Sequence, residues 1–411
     1  MSDLHHLLTL PERPLTESLY LPELSRFLSA GIPATYTLEQ AAAYEKGEEV
    51  TEEDSNTTPL HILCRSLPLF DAKATDSLGK DEESVVLKLM DTLFEYGAGW
   101  NFLDYEGKHI GDLVLERKYP QEHAIYQRIV DAGVSAELLL RKIDGGEIEF
   151  LDGPEEVQDN DESGNVKDTE ETSGDATAAD QATYLRTELE YTEDALVTKE
   201  NRDGVMMDWE TDIMAMAAKS LVSTRCSATG NASEDEDEDE DECVVLNIGF
   251  GMGIIDSFIQ DEKVTKHYIC EAHPDVLTRM RETGWFDKPN VVVLEGRWQD
   301  SLNELLDQGN VFFDGIYYDT FSEHYQDMLD LYDVVVGLLK PEGTFSFFNG
   351  LGADRAICYD VYRKIVELDV ANYGMQCTYQ VVDLQTLPNW SDVKRSYFNC
   401  TRYYHPEIRF A

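Results

Sequence analysis

In residues 243–259, CVVLNIGFGMGIIDSFI, an apolar run from Cys243 stops at Gly249 and an amphipathic segment begins after Gly253. The pattern predicts a strand, a tight glycine turn and a helix. A turn without Cβ atoms lets backbone N–H groups approach a ligand closely, and the helix N-terminus behind it adds a favourable dipole. A cofactor is expected here.

The spacing narrows the choice. A dinucleotide fingerprint, GxGxxG, needs its third glycine where Ile254 stands, whereas Gly249, Gly251 and Gly253 give GxGxG. GxGxG after an apolar strand is the pattern of doubly wound enzymes that bind the sulfonium nucleoside S-adenosylmethionine (SAM). An ordinary glycine-rich turn is the competing reading.

The chain of 411 residues has room for two domains with separate cores. It contains no run of eighteen apolar residues, and MSDLHHLLTLPERP lacks the features of a secretory leader, so neither a membrane span nor secretion is expected. The seven cysteines are scattered without a CxxC pair, as in reduced cytoplasmic and nuclear proteins. The nine histidines form no HxxxH or Cys/His cluster, so no metal is expected. A formal net charge of -49 excludes nucleic-acid binding through a basic face and favours a basic protein partner.

Upstream, Leu4 to Lys46 is largely helical in pattern, with breaks expected at Pro22 and Pro33. TPLH at Thr58 to His61 is the tetrapeptide that opens an ankyrin first helix. Leu89 to Ala98 (LMDTLFEYGA) reads as a second helix ending in its glycine, Asn101 to Arg117 as the next turn and first helix, and Ile125 to Val134 as the closing helix. Residues 1–143 are thus expected to form a helical ankyrin-repeat-like domain for protein binding, with Phe70 to Ser84 as an insertion. Residues 144–181 are poor in aromatics and rich in Asp, Glu, Gly, Ser and Thr, an acidic linker. Residues 182–411 form the second domain, with an acidic loop at 227–242 and a helical extension over Ala182 to Ser223.

Downstream, apolar runs at Val244 to Ile248, His267 to Cys270, Val291 to Leu294, Gly315 to Tyr318 and Thr344 to Phe348 alternate with helical stretches, which predicts a parallel sheet in an α/β fold. Gln376 to Leu384 and Ser396 to Tyr404 read as an antiparallel strand pair that finishes it. Glu271 follows the second strand about twenty residues after the glycine turn, where an acidic side chain accepts from ribose hydroxyls. Trp298 and Gln299 after the third strand suit adenine, and Asp319 ends the fourth at the ligand-binding edge. Glu210 lies in MMDWETDIMAMAA, where Met206, Met214 and Ala217 are spaced to share a helix face.

YLRTELEY (Tyr184 to Tyr191), MMDWETDIM, VLNIGFGMGII, ICEAH, GRWQD, FDGIYYDTF and LLKPEGTFSFFN stand in the order and nearly the spacing of guanidinoacetate methyltransferase. With the ankyrin-like N-terminus, the chain resembles the fungal protein arginine N5-methyltransferases, which methylate the δ-nitrogen of arginine. The resemblance implies a Rossmann-like class I SAM-dependent methyltransferase domain behind a helical ankyrin-like one. It implies cofactor contacts from Tyr191, Met214, Phe250, Gly251, Met252, Gly253, Ile254, Ile255, Glu271, Ala272, His273, Trp298, Gln299 and Asp319, with Glu210 and Asp319 as the catalytic carboxylates facing a guanidinium. Two positions depart from the pattern. Asn247 stands where these enzymes place an acidic residue, and His273 where the small-molecule enzyme has a different polar residue. The expected partner is a basic protein such as a ribosomal protein; the sequence does not decide the oligomeric state, with a monomer favoured. The alternatives are a methyltransferase for a small guanidino compound and a non-catalytic SAM-binding adaptor.

Overall fold

The computed structural model describes residues 2–47, 57–71, 78–144, 180–228, 242–384 and 386–411. Nearly all of the 144–181 linker, the acidic run within 227–242 and part of the Phe70 to Ser84 insertion lie outside the described residues. The chain divides into two compact units, Met1–Glu156 with Arg355–Lys364, and Val157–Asp354 with Ile365–Ala411.

The N-terminal unit is helical, with helices Asp3–Leu8, Glu17–Ser29, Leu38–Lys46, Pro59–Ser66, Lys80–Glu95, Ile110–Glu116 and Ala124–Asp144. The expected break at Pro22 does not occur. Glu17–Ser29 runs through it, with Tyr20, Leu24, Phe27 and Leu28 all buried along one side. Burial of that face outweighs the missing N–H. In TPLH, the Thr58 N–H donates to Nδ1 of His61 at 3.1 Å, so Nε2 carries the proton and donates to the Phe102 carbonyl at 3.0 Å. One buried imidazole therefore caps its own helix and fixes the turn at Asp104–Lys108, where Asp104 N–H meets the Lys108 carbonyl at 3.0 Å. The last helix does not stop near Val134 but continues to Asp144. Gly133 serves close packing instead, since a Cβ there would come within 2.5 Å of Val361 and 3.1 Å of Trp100.

The C-terminal unit begins differently from expectation. Within the segment expected to be helical, Ala182 to Ser223, the two ends are helices, Gln181–Tyr184 and Thr211–Ala228, but between them lies a three-stranded antiparallel meander, β1 (Leu189–Tyr191), β2 (Ala195–Thr198) and β3 (Gly204–Met207). Met206 thus lies on a strand, not on one helix face with Met214 and Ala217. Glu210 sits in the 3-10 turn Asp208–Glu210 that joins β3 to the helix.

The main sheet has strands β4 (Val244–Ile248), β5 (Lys266–Glu271), β6 (Val291–Glu295), β7 (Phe313–Tyr318), β8 (Leu339–Phe347), β9 (Met375–Asp383) and β10 (Arg402–Phe410) in the order β6-β5-β4-β7-β8-β10-β9. The first five are parallel, and β10 runs antiparallel to both β8 and β9. This is the doubly wound, Rossmann-like arrangement that the alternating apolar runs and the final strand pair predict. β4 is buried at every position, as a central parallel strand must be. The last strand starts at Arg402, six residues later than expected (402 − 396), and Ser396–Thr401 is not a strand.

Strand order reverses at β4, between β5 and β7, which opens a crevice at the carboxyl edge. The hydrogen-bond ladder runs past the strand ends there. Gly249 N–H reaches Cys270 O at 2.9 Å, Asp319 N–H reaches Ile248 O at 2.9 Å, and Phe348 N–H reaches Tyr318 O at 3.0 Å. The first residues of three loops are therefore held as firmly as the strands.

Candidate active site

Gly249 and Gly251 have φ of +95° and +54°, backbone that L side chains rarely adopt. A Cβ on Gly249 would overlap the carbonyl oxygen of Asp319, so the glycine turn and the Asp319 loop touch through bare backbone. Gly253 is the N-cap of the helix Ile254–Asp261. Asn247 braces the turn from below, its amide donating to Gly249 O at 2.8 Å and to the Asp256 carboxylate at 2.9 and 3.0 Å. Asp256 lies 3.1 Å from the buried His267. The acid missing from the strand at position 247 is thus supplied by the helix.

Glu271 ends β5, with one oxygen accepting from Phe250 N–H at 2.8 Å and the other from His273 N–H at 2.6 Å. Burial raises its pKa against these amides, which lower it. Trp298, buried at the start of the helix Trp298–Gln308, donates its indole N–H to Glu323 at 3.0 and 3.1 Å. Gln299 lays its amide beside the same carboxylate or, turned over, accepts from Arg297 and from the Trp298 indole N–H, each at 3.2 Å. Tyr191 donates to the Gly251 carbonyl at 3.0 Å.

A cavity open to solvent, with about 550 Å³ of empty space counting the open solvent, lies over this edge, lined among others by Gly249, Gly251, Glu271, Ala272, Trp298 and Asp319. Other expected cofactor residues stand behind its wall. Met214 and Phe250 pack in the core with Ile255, while Met252 donates its N–H to the Met206 sulfur at 3.2 Å. Ile254 opens its helix. His273 caps the helix Pro274–Glu282 through Nδ1, accepting from Asp275 N–H at 3.2 Å, and its Nε2 donates to Thr187 O at 3.0 Å and Tyr184 O at 3.2 Å. Its imidazole therefore holds the Tyr184–Thr187 turn.

Glu210 lines a second cavity of about 950 Å³, which shares Val205, Asp319, Thr320, Phe321 and Glu323 with the first. One Glu210 oxygen accepts from Met207 N–H at 3.3 Å and from the Tyr397 hydroxyl, and among the described residues the other has no partner. Asp319 has no side-chain hydrogen bond among the described residues, and its Oδ2 is sealed from solvent. Burial and then the charge of Asp319 hold the Glu210 carboxyl well above the usual range. Burial and then the charge of Asp256 raise Asp319 to about 7. Two crowded carboxyls with open lone pairs attract a cation rich in N–H donors. No group of three or more His, Cys, Asp or Glu among the described residues is placed to hold a metal.

Two residues in these walls carry no motif signal. Tyr397 lies in the irregular Ser396–Thr401 segment, and its hydroxyl also accepts from Trp209 Nε1 at 3.2 Å. Glu323 follows Asp319 by four residues, a proximity that was the available hint.

These pKa shifts fix a pH dependence. A carboxyl with a folded pKa above its unfolded value of about 4 keeps its proton longer in the native state, so its contribution falls as pH rises from about 4 through about 7. Between pH 5 and 8, the ligand-free protein is expected to lose more melting temperature than the double variant Glu210→Gln/Asp319→Asn. A constant difference between the two proteins over that range would mean that both carboxyls ionise normally.

The guanidinoacetate N-methyltransferase family matches residues 202–368. Over its whole length the chain is 78% identical to protein arginine N-methyltransferase 2 of Kluyveromyces lactis, covering 100% of both chains. It is 59% identical to the protein of the same name in Saccharomyces cerevisiae, again covering 100% of both. Among solved structures, a spermidine synthase from Thermotoga maritima aligns with 54% of this chain and 70% of its own at 14% identity, with a TM-score of 0.36.

Proposed function

The chain belongs to the protein arginine N-methyltransferase 2 family of fungi, and on that premise we propose that it methylates the δ-nitrogen (N5) of an arginine within a basic protein. Its cofactor is SAM. The observation that carries the guanidinium reading is the pair Glu210 and Asp319, two buried carboxyls with unpartnered oxygens on one cavity.

The residues present fit SAM. The glycine turn leaves no Cβ in the way, Glu271 offers acceptors for hydroxyls, and the unpartnered Asp319 carboxyl stands where the two cavities meet. When bound, SAM supplies an electrophilic methyl group on a sulfonium.

A guanidinium is a poor nucleophile because its lone pairs are delocalised and it stays protonated at neutral pH. Glu210 and Asp319 answer both difficulties. Their oxygens accept its N–H groups, fix one nitrogen toward the cofactor cavity, and stand ready to take the proton released as the N–C bond forms. Their raised pKa values suit proton acceptance near neutral pH. Trp209, Phe348, Trp390 and Tyr397 pack against one another as an aromatic cluster, and the Tyr397 hydroxyl ties that cluster to the buried Glu210.

The N-terminal helices, read as ankyrin-like, would select the protein substrate, with the acidic surface drawing it in. The scattered cysteines, none spaced as CxxC, support an enzyme of the cytoplasm and nucleus. The test is to incubate purified protein and methyl-labelled SAM with an extract of cells lacking it, at low and high salt, then hydrolyse and identify the labelled amino acid. Label on the internal δ-nitrogen of protein-bound arginine, falling with salt, is expected. Label only in a free guanidino metabolite would favour the small-molecule reaction suggested by the 202–368 match.

A further inference from the structure

Three carboxylates line the larger cavity, Glu210, Asp319 and Glu323. Their hydrogen-bond partners separate them. A carboxylate offers about four lone-pair sites. Asp319 uses none on the described side chains, and Glu210 keeps one oxygen open. Glu323 is full. Its Oε1 accepts from the amide of Gln181, its Oε2 from the Tyr318 hydroxyl and from Thr320 Oγ1 at 2.7 Å, and the Trp298 indole N–H is shared between both oxygens.

These donors come from different walls. Trp298 and Gln181 line the cofactor cavity, Tyr318 ends β7, and Thr320 follows Asp319 directly. We propose that Glu323 is a positioning residue that locks the Trp298 indole to the Asp319 loop, so that one carboxylate sets both the nucleoside end of the SAM site and the carboxylate that meets the guanidinium. With its lone pairs spent on the protein, Glu323 takes no N–H from the substrate although it lines the same cavity. This rests on the reading of the smaller cavity as the SAM site.

Two substitutions distinguish positioning from direct binding of a cation. In Glu323→Gln the amide oxygen can face Trp298 and Gln181, while the Tyr318 and Thr320 hydroxyls rotate to accept from the amide nitrogen. The charge is lost and the network is kept. In Glu323→Ala every donor loses the carboxylate, and only the Trp298 indole N–H keeps an acceptor in reach, the turned-over Gln299 oxygen at 3.2 Å. The experiment is calorimetric titration of full-length protein with SAM, followed by steady-state kinetics.

We expect Glu323→Ala to raise the SAM dissociation constant about tenfold to a hundredfold, the range for losing bonds to a charged acceptor. Glu323→Gln should change it by less than about threefold, since most of the network remains. With Trp298→Phe already in place, Glu323→Ala should cost less than it does alone, because the indole N–H is one of the donors that loses the carboxylate. Near-ultraviolet circular dichroism of the Trp298 band should change in Glu323→Ala and not in Glu323→Gln. If Glu323→Gln is as damaging as Glu323→Ala, the residue acts through its charge and the proposal fails. It fails equally if Glu323→Ala leaves SAM affinity within about twofold. Should Glu323→Ala not fold, Glu323→Gln decides alone, since a loss of tenfold or more contradicts positioning. Failure of the unaltered protein to bind SAM would remove the functional reading and this proposal with it.

Discussion

Glu210→Gln is expected to lower kcat by about a thousandfold while SAM affinity stays within about threefold. The amide oxygen can keep the bonds from Met207 N–H and the Tyr397 hydroxyl, which points the amide nitrogen into the cavity. There it would face guanidinium N–H groups, donor against donor, with no acceptor for the released proton. The same change removes a buried carboxyl that is costly to ionise, so the ligand-free variant should melt higher than the unaltered protein at pH 8. Asp319→Asn should show the same rise in stability and an equal loss of turnover, together with weaker SAM binding, because Asp319 borders both cavities. Methyl transfer from labelled SAM and a melting curve for each variant check these effects. Turnover within tenfold of the unaltered enzyme for Glu210→Gln would take Glu210 out of the chemistry.

Gly249→Ala is expected to abolish SAM binding and to destabilise the C-terminal unit by on the order of 3 kcal/mol. Two costs combine. Alanine at φ +95° is strained, and its methyl group would overlap the Asp319 carbonyl, which is itself fixed by the hydrogen bond from Asp319 N–H to Ile248. The loop cannot retreat without breaking the ladder between β4 and β7. Denaturant unfolding and SAM titration measure both losses. A variant that binds SAM normally would show that the turn has room to open. Gly97 is the contrasting case, since nothing lies within 4 Å of a Cβ there despite its φ of +84°. Only backbone strain would act at that position.

The central sheet was readable in the sequence because a buried parallel strand leaves a continuous apolar run, and the glycine turn has to follow it. CVVLNIGFGMG carries both signals within a few residues, and the positions of Glu271 and Asp319 then follow from strand ends. TPLH likewise carries its own cap within four residues. The meander at Leu189–Met207 leaves no strand signature in the sequence, because its strands are short and β2, buried at all four positions, shows no alternation. The start of the last strand is not legible in the sequence, because aromatic content alone does not set register; pairing with β9 does.

What the sequence by itself determined is therefore local: the strand, the turn, the helix behind it, and the carboxylates at strand ends. The tertiary structure alone decided partnerships across the chain. Tyr397 reaches Glu210 from 187 residues away and Gln181 reaches Glu323 from 142, pairings that no periodicity records. It also decided which carboxylates are free. Glu323 and Asp319 look alike in YDTFSE, but closing the sheet surrounds one with donors and leaves the other with none among the described residues. Hydrogen-bond saturation depends on the groups folding brings near, so the sequence could name acidic candidates while only the packed molecule separates positioning from catalysis.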